Sequence, residues 1–300
     1  MPIIFQPTRA ALPSRGLPWP PGTVLQTPTA RLGSLNLNQV DEHGCEIWFS
    51  TIEGWDSPAS SVEITQRVGE HGGYATAGFL TPREITITGA VVAPDKQMLR
   101  DAKDRVNAAS SLSEVTLMIN EFSMSRFVTV VRTGGVTWED TPAPYAKFTM
   151  SLVATDPRKY GAEEQSVMLR VPRSEGGRSY PDNCPFSFTA YVNQDSATII
   201  NKGNIDAPVR IDMYGDVSGP WVEQLESGRR LDFDLSYDAG RYTALDSKRR
   251  SVLLDGLASR AYTMSGRWFN LPPGPSTIRY GGTSTQGQAR AFVRWRDTYL

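Results

Sequence analysis

The sequence predicts a mainly β protein of two β-sandwich domains, the first of which also carries one α-helix. Three observations point there. Short runs alternating apolar and polar residues recur along most of the chain, as in Arg83-Glu84-Ile85-Thr86-Ile87-Thr88 and in residues 147–153. That period of two is the mark of a strand with one face buried. Only the segment opening at Pro94-Asp95 has helical spacing. Finally, Ala154-Thr155-Asp156-Pro157-Arg158-Lys159-Tyr160-Gly161 separates two series of strands near the midpoint of 300 residues, a length suited to two domains of ordinary size.

Residues 1–33 are rich in Pro and Thr and include Leu17-Pro18-Trp19-Pro20-Pro21-Gly22. Proline at this density removes backbone donors and blocks regular helix. The segment is expected to be an extended N-terminal arm, with Trp19 available to anchor it on a neighbouring chain. The first domain is assigned to 34–160. Its strands are expected at 45–49, 61–68 (cleanly alternating), 83–92, 115–119, 127–131 and 145–153. Glu53-Gly54-Trp55-Asp56-Ser57-Pro58 reads as a turn with a half-buried indole, and Gly69-Glu70-His71-Gly72-Gly73-Tyr74 as a second turn.

The helix is expected over 95–109. Leu99, Ala102, Val106 and Ala109 fall on one stripe with Met98, and Asp95 is placed to cap the free N–H groups. Its Lys96, Arg100, Lys103 and Arg105 alternate with Asp101 and Asp104, which describes a solvated face and not a basic patch. The second domain is assigned to 161–300. Residues 162–173 read as extended, 174–178 as a loop, and strands are expected at 186–192, 197–201, 209–214, 221–225, 230–236, 241–246, 251–254, 276–280 and 291–295. Turn signals recur every eight to twelve residues or so, the spacing of a jelly-roll sandwich or barrel.

Composition narrows the function. The 31 Lys and Arg nearly balance 32 Asp and Glu, for a formal net charge of −1, against the basic character that tight phosphate binding needs. Cys45 and Cys184 fall in different expected domains, which argues against a disulfide scaffold and for folding in a reducing cytoplasm. No apolar run approaches the ~20 residues of a membrane span, and no secretory signal is read at the N-terminus; no membrane contact is expected.

No catalytic, cofactor-binding or metal-binding residue is assigned, and no cofactor is expected. His43 and His71 stand beside glycines in loops without metal-ligand spacing. Glu139-Asp140 beside Trp138 has the residue types of a sugar-cleaving site, but adjacent loop carboxylates are commonly just solvated. No Gly-x-Ser-x-Gly elbow or phosphate loop is present. Trp55, Trp138, Trp221, Trp268 and Trp295 could form a glycan platform or could be buried indoles under loops. Asp156-Pro157 reads as a strand terminator that fixes the exit into the next domain, and Lys248-Arg249-Arg250 as a solvated turn or a contact with an acidic partner.

The order of Glu53-Gly54-Trp55, His71-Gly72-Gly73-Tyr74, Arg83-Glu84-Ile85-Thr86-Ile87-Thr88-Gly89, the 99–109 helix and Asp156-Pro157-Arg158-Lys159-Tyr160 resembles the distal tail (Dit-like) proteins of long-tailed, siphovirus-type bacteriophages. Asn201-Lys202-Gly203-Asn204-Ile205-Asp206-Ala207-Pro208-Val209-Arg210-Ile211, the 268–274 turn and Ser276-Thr277-Ile278-Arg279-Tyr280 extend the resemblance through the second half. It implies a ring-forming β-sandwich with a helix, followed by a galectin-like or jelly-roll domain. It also implies a non-enzymatic virion protein: a homohexameric ring at the tail tip, assembled in the host cytoplasm, that joins the tail tube protein and tape-measure protein to the tail-associated hub protein of the baseplate. Genomic DNA would pass through the lumen without specific binding. A carbohydrate-binding adhesion module of the tail tip is the alternative, and a glycan hydrolase a third possibility.

Overall fold

The computed structural model describes residues 3–4, 23–24, 27–171, 195–284 and 287–300. Most of the expected arm with Trp19, the loop at 174–178, Cys184 and the strand at 186–192 lie outside the described residues. The chain divides into two compact units, residues 1–162 with Leu300, and residues 163–299.

In the first unit the labelled elements are β1 (Thr29–Leu32), β2 (Leu35–Leu37), β3 (Glu46–Glu53), β4 (Ile64–Gln66), β5 (Gly73–Ala75), β6 (Arg83–Val92), α1 (Lys96–Ala109), β7 (Val115–Glu121), β8 (Met124–Arg132), β9 (Thr137–Asp140) and β10 (Tyr145–Ala154). Antiparallel pairing runs β3-β6-β10-β8-β7-β1-β2. Strand β8 is the turnover point. It meets β10 only through Val131 and Arg132, while its length from Met124 to Val130 pairs with β7. One continuous sheet thus supplies both layers of the sandwich. Along β6 and β10 the register sets Ile85 opposite Leu152 and Ile87 opposite Met150. These four side chains are buried in one core with Phe49, Leu117, Ile119, Val128 and Phe148. Alternation put them on one face, and burial of each such side chain is worth about 1.5–3 kcal/mol.

Helix α1 begins as its sequence indicates. Asp95 has extended backbone and its carboxylate accepts from the Met98 N–H at 2.8 Å, which satisfies an otherwise orphaned donor. Leu99, Ala102, Val106 and Ala109 face the core, and at the far end the Ser110 N–H returns to the Val106 carbonyl.

Four expectations are corrected in this unit. Strand β1 extends the sheet upstream of residue 34, with Ala30 and Leu32 pointing inward, so residues 29–32 are not part of a proline-rich arm. The 61–68 segment is not a core strand. Ser60–Ser61 pairs with Phe79–Leu80 and β4 with β5, forming a hairpin arm in which Ile64, Val68, Tyr74 and Phe79 are all exposed. Alternation reports an extended backbone, but it does not say whether anything covers either face. Trp55 is buried, not half-buried. Trp138, Glu139 and Asp140 lie not in a loop but on β9, hydrogen-bonded to the middle of β10.

The second unit packs two antiparallel sheets face to face. Its labelled strands are β11 (Gln165–Arg170), β12 (Ser196–Asn201), β13 (Val209–Tyr214), β14 (Val217–Gln224), β15 (Arg229–Phe233), β16 (Tyr242–Asp246), β17 (Ser251–Leu254), β18 (Gly274–Thr283) and β19 (Arg290–Trp295). One sheet runs β11-β19-β13-β16-β17 and the other β12-β18-β14-β15. Leu169, Ile211, Met213, Leu245 and Val293 of the first sheet share a core with Val222, Leu231, Ile278 and Tyr280 of the second. The mainly β, two-sandwich class is the one the sequence predicts.

Candidate functional site: a polar knot beneath an exposed arm

Three motifs of the first half, at 53–55, 83–89 and 156–160, converge on one place. Arg83, the first residue of β6, is 1% exposed. Its guanidinium donates to three carbonyls, from Nη1 to Gly54 at 2.9 Å and Trp55 at 2.6 Å, and from Nε to Pro157 at 2.9 Å. Lys159 is 4% exposed and donates from Nζ to the carbonyls of Trp55 and Asp56, each at 3.0 Å. The same ammonium lies 5.3 Å from the centre of the Trp55 ring, within cation–π range. The indole N–H donates to Glu121 Oε1 at 2.9 Å. Five backbone acceptor contacts and one indole are thereby fixed by two cations, which answers where the hydrogen bonds of this buried turn go.

Gly54 could be no other residue. Its φ is +79°, and a Cβ there would sit 1.8 Å from the Glu84 carbonyl oxygen. Desolvation depresses both cations, with Asp56 opposing it at Arg83. At Lys159 burial is followed by repulsion from Arg83 and Arg126, which Glu121 and Asp56 only partly offset, and the ammonium pKa is pushed down to about 8.

This knot grips both roots of the hairpin arm. Residues 54–56 lead into the arm at Ser60, and Arg83 follows its return at Leu80 and Thr81, where Thr81 bonds back to the Ala59 carbonyl. Beyond these roots the arm's strands are exposed, with Ile64 at 68%, Tyr74 at 65% and Phe79 at 74%. Arg67 stacks on Tyr74 with its guanidinium carbon 4.7 Å from the ring centre. The result is a firmly anchored projection with an apolar surface.

A second convergence orders the other unit. Asn201 is buried; its amide donates to the carbonyls of Ile205 and Leu271, while its oxygen accepts from the N–H groups of Gly203 and Thr298. At Gly203 a Cβ would fall 1.8 Å from the Thr298 carbonyl oxygen. The Asn201-Lys202-Gly203-Asn204 stretch and the 268–274 turn are thus two sides of one junction.

The residues considered for chemistry are placed apart. His43 and His71 are exposed. Among the described residues no group of three or more His, Cys, Asp or Glu is disposed to hold a metal. Glu139 pairs with Lys147 at 3.4 Å and Asp140 with Lys103, while the Trp138 indole packs on Phe148 and bonds Asn107. Each of the two carboxylates thus faces a lysine. The described indoles each have their own surroundings. Trp221 is covered by Arg230 at 4.1 Å and by Gly281; Trp268 packs on the second core, and Trp295 bonds the Ile200 carbonyl. Cys45 is a buried free thiol, its pKa raised by burial and by Asp41. Lys248, Arg249 and Arg250 form an exposed turn, with two of its N–H groups held by Asp246.

Residues 202–299 match the family described as siphovirus-type tail component, C-terminal domain. Among solved structures the chain is similar to SPP1 Dit (gp 19.1), described as a paradigm of hub adsorption apparatus in phages infecting Gram-positive bacteria. The identity is 13%, over 92% of this chain and 100% of that one, with a TM-score of 0.65. A chain of the phage P2 baseplate in its activated, Ca-bound conformation is 13% identical over 90% of this chain and 98% of that one, with a TM-score of 0.49. A sequence search of curated proteins gives no match.

Residues 202–299 therefore form a domain of the siphovirus-type tail component kind. Beyond that domain, the fold of the chain is similar to that of SPP1 Dit.

Proposed function

We propose that the chain forms a homohexameric ring at the distal end of a phage tail, assembled in the host cytoplasm. The ring joins the tail tube and tape-measure proteins to the tail-associated hub protein, and its lumen passes genomic DNA without binding it specifically. Its role is assembly and not catalysis. The observation that carries this reading is the arm at residues 60–80. A two-stranded hairpin is only marginally stable alone in water, and this one turns large apolar side chains outward from a rigid root. Such a projection suits a head-to-tail interface, in which each subunit offers one patch and receives a different one.

The hub role described for SPP1 Dit supports the placement at the tail tip, and the near-zero net charge agrees with a channel through which phosphates must slide and not stall. Antibody raised against the chain should label intact virions at the far tip of the tail. Label along the tube or on the capsid would contradict the placement.

A further inference from the structure

The outer face of the sheet β11-β19-β13-β16 carries a feature separate from the arm of the first unit. Antiparallel register sets Arg170 of β11 opposite Arg290 of β19, Arg290 opposite Tyr214 of β13, and Tyr214 opposite Tyr242 of β16. The four side chains therefore form one cross-strand row. Like charges set directly opposite each other disfavour a sheet. No ion pair relieves either guanidinium among the described residues, and the one recorded contact is that of Arg290 with the Phe292 ring, 6.0 Å from its centre.

Beside the pair lies a concavity of about 220 Å³, lined by Arg170, Arg290, Tyr214, Gly215, Ala239 and residues 287–289. Tyr214 is stacked on Tyr242 at 5.1 Å and meets the Phe292 edge at 5.7 Å, so the aromatic wall is rigid. The nearby acids are engaged elsewhere. Asp212 is buried between Arg210 and Arg294, at 3.1 and 3.0 Å, and Asp216 accepts from Ser284 and the Gln288 N–H.

We propose that this row is a docking site for a carboxylate-bearing segment of a partner protein, with Asp or Glu side chains seated between Arg170 and Arg290 against the tyrosine wall. Guanidinium forks match carboxylates in bidentate geometry, and Arg with Tyr is the composition of interface hot spots. Charge complementarity also favours a protein over a polyanion. A nucleic acid strand needs a continuous track of cations, yet the face's other two arginines, Arg210 and Arg294, are both engaged by Asp212, with Asp246 also acting on Arg210. Among the described residues, the arginines of this face without an ion pair are thus Arg170 and Arg290, a pair that suits one or two carboxylates.

The test uses the full chain and a short fluorescein-labelled oligoglutamate peptide, followed by anisotropy at low ionic strength. Arg170→Gln/Arg290→Gln should weaken binding by about tenfold or more, while the control Arg249→Gln/Arg250→Gln, in the exposed turn, should leave it unchanged. Labelled oligothymidylate should bind no better to the wild type than to the double variant. Equal binding by wild type and double variant, equal loss in the control, or tighter binding of oligothymidylate would each overturn the proposal. The measurement is made on any oligomeric state of the chain, so its failure would leave the ring reading untouched.

Discussion

Lys159 holds an ammonium group where water hardly reaches, between the carbonyls of Trp55 and Asp56 and the face of an indole. The consequence for stability has a definite sign. Its pKa stands near 8 in the folded chain against an ordinary 10.5. Between those values the unfolded chain keeps a proton that the folded chain has released, so folding strengthens as pH rises. Wild type should therefore gain on Lys159→Met between pH 8 and 10, by on the order of 2–3 kcal/mol; chemical unfolding at both pH values measures it, and a difference independent of pH would refute it. Arg83→Met takes the side-chain donor from the Gly54 and Pro157 carbonyls, leaving Trp55 its bond from Lys159, and should lower the unfolding free energy by about 2–3 kcal/mol. A change below about 0.5 kcal/mol, the usual range for surface substitutions, would mean that the knot does not hold the turn. None of this could be read from composition, because Trp55 finds Glu121 and Lys159 across 66 and 104 residues of chain.

At the scale of elements, legibility followed how local the determining signal is. Strands Arg83–Val92, Val209–Tyr214 and Ser251–Leu254 are visible in full, since alternation and flanking turn residues define both ends. Helix α1 is equally plain, because its cap and its stripe are both written within one segment. The arm is illegible for the same reason. Residues 61–68 alternate as well as any core strand, but whether a face is covered depends on residues elsewhere. The Glu53-Gly54-Trp55, Arg83-Glu84 and Asp156-Pro157-Arg158-Lys159-Tyr160 motifs were each legible, whereas their meeting in one knot was not. An arm that serves assembly and not folding makes a sharp prediction. Ile64→Asp/Tyr74→Asp should leave the unfolding midpoint nearly unmoved, within about 0.5 kcal/mol, yet reduce the oligomer seen by light scattering to single chains. Loss of the fold, or an intact oligomer, would contradict it.

Across the whole molecule, two sandwiches of similar build differ in what they leave exposed: an apolar hairpin on one, a row of arginine and tyrosine on the other. A net charge of −1 conceals that row, because totals average over faces that partners meet separately. The central claim is that copies of this chain close on themselves, and the most direct test is the purified protein in solution, weighed by light scattering and imaged by negative stain. A particle of six 33.1 kDa chains with a central hole is expected. A single chain that persists at high concentration would contradict it.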